Sequence, residues 1–185
     1  TIQRPEGLGV FDIMGSGSPA PETLLWSRFL LNILAPKQVL CISQPGTSTH
    51  WIRPIVQRDR ELKGLIIPTG TFTAIAIESR RSYGFDSFLS PKDQGVLVYT
   101  IDTRLPYKRS PMQLIAPARS TDREWYTDSA LRLNETVTTN GWKITEDFFQ
   151  PLEPPIALRG AGETPAVRQP FCPLPAAKES LLNGP

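Results

Sequence analysis

Residues 72–79 read Phe-Thr-Ala-Ile-Ala-Ile-Glu-Ser, and residues 96–102 read Val-Leu-Val-Tyr-Thr-Ile-Asp. Both runs are apolar on alternate positions of either parity, the pattern of central strands covered on two faces. On the N-terminal side of these, 39–42, 52–57 and 62–67 are shorter runs of Val, Ile and Leu, divided by Pro, Gly or charge. Pro54 has no N–H to give and demotes its run to a sheet edge. Residues 83–95, between the two central runs, read as a loop. Further on, 135–139 and 142–145 flank Asn140-Gly141. That dipeptide is the strongest hairpin signal in the chain, because a type I′ turn needs positive φ at both central residues.

Ahead of the strands stands the one helix pattern, predicted over 22–34. Leu25, Trp26, Phe29, Leu30, Ile33 and Leu34 form its apolar face, with Ser27, Arg28 and Asn32 away from it. Glu22 suits the N-terminal dipole and Pro36 stops the helix. Before it, Gly7, Gly9, Gly15 and Gly17 punctuate Val10, Phe11, Ile13 and Met14, predicting a tight, partly buried turn region. From Pro151 onward come eight of the 19 prolines and no periodic pattern. The expected architecture is a β-rich α+β domain over 1–150. One main helix packs on a mixed or antiparallel sheet, a hairpin closes it, and 151–185 forms a Pro-rich tail or linker.

Composition narrows the function classes. The chain has 185 residues, 39% of them hydrophobic and 21% charged, enough apolar content for a core. Its 19 prolines are roughly twice the usual share, which disfavours a helical bundle. The longest apolar run, 24–34, is interrupted and well short of the roughly 20 residues a membrane span needs. A net charge of +2 spread over mixed-sign segments leaves nucleic-acid binding without a motif. Gly15-Ser16-Gly17 has neither the Lys of a phosphate loop nor the strand that precedes a dinucleotide site. Two cysteines and one histidine cannot build a Cys/His zinc cluster.

Individual residues offer little recognisable chemistry. His50 lacks a Gly-x-Ser-x-Gly partner and reads as an ordinary edge residue beside Trp51. Glu78, Asp86, Asp93 and Asp102 could supply an acid–base pair, but Glu78 before Arg80 and Arg81 reads more naturally as a salt-bridged strand end. Asn134-Glu135-Thr136 is an N-glycosylation sequon at the hairpin mouth, with a plain polar strand entrance as the bland reading. Cys41 and Cys172 are expected to form a disulfide if the protein is exported; the alternative is a buried free Cys41.

Gly9-Val10-Phe11-Asp12-Ile13-Met14-Gly15, with the helix residues Leu25-Trp26-Ser27-Arg28 after it, resembles the Met-turn region of secreted, immune inhibitor A-like (M6-type) zinc metallopeptidases. Asn32-Ile33-Leu34 stands where that family has a Gly-Trp-Leu-like exit. The resemblance continues through Ile77-Glu78-Ser79-Arg80-Arg81 and Gly84-Phe85-Asp86. Gly95-Val96-Leu97-Val98-Tyr99-Thr100-Ile101-Asp102 and the closing hairpin, 133–144, complete it, so that it covers about residues 7–147.

The resemblance implies a C-terminal part of a catalytic unit that supplies the Met-turn and a cleft wall. Met14 would be the hydrophobic floor beneath a zinc ion, with Asp12 and Gly15 holding the turn, and none of the three a catalyst. The family's His-Glu-x-x-His element, two zinc ligands and a general base, is missing from these residues. It would lie upstream of Thr1, in the same polypeptide. Zinc would then belong to the parent enzyme only, the substrate would be a polypeptide, and the location extracellular. No nucleic-acid or membrane partner is expected. The competing expectation is a non-catalytic extracellular β-sandwich binding or adhesion module, with Trp51, Tyr83, Phe85 and Trp125 making contacts.

Overall fold

The computed structural model describes residues 7–15, 20–106 and 110–147; Gly17, Cys172 and the Pro-rich tail 151–185 lie outside them. The fold is β-rich α+β. Strands β1 (Val39–Cys41), β2 (Gly64–Pro68), β3 (Thr73–Arg80), β4 (Gly95–Asp102) and β5 (Met112–Leu114) form one sheet in sequence order. β1 runs parallel to β2 and every other pairing is antiparallel, so the sheet is mixed. The two central apolar runs pair with each other along β3 and β4, from Thr73 opposite Asp102 to Arg80 opposite Gly95.

Alternation along β3 and β4 separates two apolar layers. Ala74 and Ala76 face one side with Leu97, Tyr99 and Ile101, where they meet Phe11, Leu24, Leu25 and Trp26. Ile75, Ile77 and Val98 face the other, against Leu131, Val137 and Ile144. The one α-helix among the described residues, α1 (Leu25–Leu30), covers the first face. The hairpin of β6 (Thr136–Thr139) and β7 (Trp142–Thr145) covers the second. Among the described residues no helix is long and apolar enough to cross a membrane.

Three local expectations need correction. The helix predicted over 22–34 is six residues long. Asn32 takes φ 55°, its N–H donates to the Phe29 carbonyl at 3.1 Å, and the Ile33 N–H donates to the Arg28 carbonyl at 2.9 Å. That double bond pattern is a Schellman stop, so the helix ends before Pro36 can end it. The strand predicted over 52–57 is reduced to a single bridge between Pro54 and Ser79, because the chain turns at once, Gln57 N–H to Pro54 carbonyl at 3.1 Å. β5 went unpredicted. Three residues carry too little pattern, and the free edge of β4 supplies the pairing.

The hairpin turn has Asn140 at φ 49° and Gly141 at φ 78°, both positive as a type I′ turn requires. A Cβ at Gly141 would meet nothing within 4 Å. Gly141→Val therefore isolates backbone strain, and we expect a loss of about 1–3 kcal/mol. A thermal melt checks it: an unchanged midpoint would contradict the turn.

Candidate functional site

The alternation that places Ala74 and Ala76 toward α1 carries on to Glu78 and Arg80, so both charged side chains enter the core on the helix side, fully buried. Arg80 is held from three directions. One terminal nitrogen donates to Glu78 Oε1 at 2.9 Å. The other donates to Asp86 Oδ1 at 2.9 Å and to the Glu22 carbonyl at 3.0 Å. Its Nε sits 2.9 Å from Asp86 Oδ2, making a two-point ion pair. The guanidinium carbon lies 5.9 Å from the Phe11 ring centroid.

This network caps α1. The Leu25 N–H donates to Glu78 Oε2 and the Trp26 N–H donates to the Tyr99 hydroxyl at 3.0 Å. Those are N–H groups a helix cannot satisfy within itself. The Tyr99 hydroxyl in turn donates to Glu78 Oε2 at 3.2 Å. Burial pushes the Glu78 and Asp86 carboxyls above their ordinary range despite the pull of Arg80. It pushes the Tyr99 hydroxyl up further, with the Glu78 charge adding to it.

The turn of the resemblance joins the same assembly. Asp12 is fully buried, accepting from the Met14 N–H at 2.8 Å and from the Leu24 N–H at 3.0 Å. Its carbonyl accepts from the Gly15 N–H at 2.8 Å. Asp12 thus binds the turn to the entrance of α1, while Met14 stays half-exposed. Asp12, Glu78, Arg80 and Asp86, from three separated motifs, meet around one helix end. The part of Tyr99 and of the Glu22 carbonyl was missed in the sequence; the signal for the ion pair was the i, i+2 spacing of Glu78 and Arg80.

The other candidates disperse. Of the four carboxylates, Glu78 and Asp86 come together, but around Arg80 and out of solvent. Asp93 accepts from the Ser90 hydroxyl at 2.6 Å, and Asp102 pairs with Arg104 at 2.7 Å at the far end of β4. His50 Nε2 lies 2.8 Å from Ser48 Oγ. Trp51, Tyr83 and Phe85 are exposed, whereas Trp125 packs against the helix-side core. Asn134 is exposed at the hairpin mouth, its N–H donating to the Glu146 carbonyl at 2.6 Å. Cys41 ends β1, half-buried. Among the described residues no group of three or more His, Cys, Asp or Glu is placed to hold a metal ion.

The segment that packs on the turn has its own polar frame. Asp122 accepts the N–H groups of Trp125 at 2.8 Å and Thr127 at 3.2 Å, and Asp128 accepts the Ser120 hydroxyl at 2.7 Å. Glu135 accepts from Arg119 and from the Arg132 N–H at 2.8 Å. Burial alone would raise these three carboxyls, but the hydrogen bonds outweigh it and all three lie below their ordinary range. A depressed carboxyl stabilises the fold above the unfolded pKa, about 4, and the contribution disappears as pH falls through the folded value. We expect the amides of 121–128 to lose exchange protection below about pH 4, ahead of β3 and β4. Hydrogen exchange across a pH series checks this; simultaneous loss everywhere would contradict it.

Comparison with protein-family models, curated proteins and solved structures finds no match to the chain.

Proposed function

We propose that this chain is the C-terminal part of the catalytic unit of a secreted zinc metallopeptidase with the immune inhibitor A-like (M6-type) pattern, contributing the turn of Asp12, Met14 and Gly15 and a wall of the cleft. One observation supports the reading above the rest. The charged residues of the Asp-x-Met, Glu-x-Arg and Gly-Phe-Asp motifs, separated by up to some seventy positions, assemble into one buried network that clamps the turn to α1. The described residues do not fit a zinc site by themselves. In this reading the metal ligands and the general base belong to a segment upstream of Thr1, and no chemical step is assigned to the residues described. Their work is positional: Asp12 fixes the backbone of Met14, which presents an apolar side chain that neither donates nor accepts a proton.

The exposed aromatic rings of Trp51, Tyr83 and Phe85 favour a second reading, a non-catalytic extracellular binding module. Sequencing upstream of Thr1, followed by metal analysis and a casein assay on the 185-residue chain and on the extended product, separates the two. The proposal expects a His-Glu-x-x-His segment, zinc and cleavage in the extended product, with neither in the short chain. Zinc-dependent cleavage by the short chain overturns it, and an extended product without zinc or activity favours the binding module.

A further inference from the structure

The second face of the sheet is not apolar to its end. Thr73 shares the side of Ile75, and Thr100 and Asp102 share that of Val98. Gln113 points the same way, since Met112 and Leu114 on either side of it turn to the helix-side core. Thr73 stands opposite Asp102 and Thr100 opposite Gln113, so the four polar side chains form one floor where β3 begins and β4 ends. The hairpin reaches that floor. Asn140 at its tip and Trp142 on β7 line, together with the four, a groove of about 720 Å³. Trp142 is half-buried against the apolar part of the face, and the rest of its indole borders the groove. Clefts that take small ligands span about 300–1,000 Å³.

The groups in this groove have hydrogen-bonding capacity to spare. Ser110 lines it and is 3% exposed, and its hydroxyl meets no partner among the described residues. The Thr100 hydroxyl donates to the Gln113 carbonyl at 3.5 Å, longer than a firm hydrogen bond. Gln113 and Asn140 bring exposed amides. Hydroxyls and amides both donate and accept, and they suit a ligand that does the same. Among the described lining residues Asp102 alone is charged, and Arg104 holds both its oxygens, at 2.9 and 2.7 Å. On those residues an anion finds no cation, and a cation finds no uncompensated carboxylate. An apolar guest would leave the Ser110 hydroxyl and its neighbours unpaired. What fits is a neutral ligand rich in hydroxyls, with one apolar face for the flat indole of Trp142. A pyranose has that form, with C–H bonds on its ring face and hydroxyls around its rim.

We propose that this groove is a binding site for a neutral saccharide, with a pyranose ring laid on Trp142 and its hydroxyls bonded to Ser110, Thr100, Gln113 and Asn140. The site binds its sugar and leaves it intact: cleavage needs two carboxyl groups, and the described lining residues hold one, already paired. The site is independent of the peptidase reading, because no residue of the buried network at the end of α1 takes part. A peptidase and a binding module would carry it equally well.

The test titrates the full chain with hexasaccharides of glucose, N-acetylglucosamine, mannose and xylose, and with a galacturonate hexamer, followed by calorimetry and tryptophan fluorescence. The proposal expects at least one neutral hexasaccharide to bind saturably at millimolar concentration or below, with little dependence on salt. Ser110 has φ 50° and Asn140 φ 49°, where glycine sits without strain. Ser110→Gly and Asn140→Gly therefore remove the hydroxyl and the amide while keeping the backbone. Each should weaken binding at least threefold, and the two together at least tenfold, with the melting midpoint unchanged. Should either variant fold poorly, Gln113→Ala, at an exposed strand position, gives the same reading. No binding by any neutral probe overturns the proposal. So does binding that all these substitutions leave untouched, which would put the sugar elsewhere, and so does tighter binding of the galacturonate hexamer, which would mean a charged ligand. Peptide cleavage is not a readout here, so failure of this site and failure of the peptidase reading are seen separately.

Discussion

Arg80→Ala unfolds this protein or brings it to the edge of unfolding. The substitution leaves Glu78 and Asp86 fully buried, both having lost the cation that compensates them, and it removes the donor that holds the Glu22 carbonyl. Breaking a buried ion pair by deleting one partner costs about 3–5 kcal/mol, a large share of the roughly 5–15 kcal/mol by which a domain is stable. For a chain of this size that lowers Tm by on the order of 10 °C. Arg80→Lys recovers little, since an ammonium cannot reach Glu78 and both oxygens of Asp86 with a planar fork. The triple variant Arg80→Met, Glu78→Gln, Asp86→Asn removes all three charges and should lose much less than Arg80→Ala alone. Thermal and urea melts of the three proteins check the argument. A mild Arg80→Ala with a severe triple variant would mean that hydrogen bonding, and not charge compensation, dominates at this helix end.

Gly9→Ala is the second severe change, and its cause is steric. Gly9 sits at φ +51°, and a Cβ there would lie 2.0 Å from the Trp125 carbonyl oxygen and 2.8 Å from the Tyr126 Cβ. The same carbonyl accepts the Val10 N–H at 2.9 Å, so neither backbone can retreat without breaking the contact between the two segments. Left-handed strain of about 1–3 kcal/mol adds to an overpacking cost of similar size. A loss of about 2–6 kcal/mol follows, against the smaller, purely conformational loss expected for Gly141→Val. Because Gly15 closes on the Gly9 carbonyl, the damage reaches the Met14 turn. Comparison of the two glycine variants by thermal melt checks this; equal losses would show that the close approach to Trp125 carries no energy of its own.

Much of the fold was legible. The doubly apolar runs marked β3 and β4, and the Asn-Gly pair located the hairpin, because each signal is local and each constrains the backbone by sterics or burial alone. The helix pattern locates α1 but runs past its end: Asn32 fits the polar face of a longer helix, whereas its tolerance of positive φ makes it the stop. The network at the end of α1 was visible only in fragments. Glu78 beside Arg80 reads as an ion pair, yet nothing within a few residues indicates that Asp86 joins it, or that Glu78 and Tyr99 serve as the helix's N-terminal caps.

What the sequence determined by itself is therefore the set of elements: two central strands, one amphipathic helix without its true end, a turn-locked hairpin and an apolar content sufficient for a core. Periodicity and turn chemistry act between neighbours in the chain, so one strand of text carries them. The tertiary structure alone decided that the sheet is mixed, that the hairpin covers one face and α1 the other, and that four charged residues of distant motifs share one buried site. Those outcomes depend on which N–H groups lack partners and which carboxylates lose water once the layers close. Desolvation makes a buried charge costly until another segment supplies its counterpart, and only the assembled fold shows which segment does so.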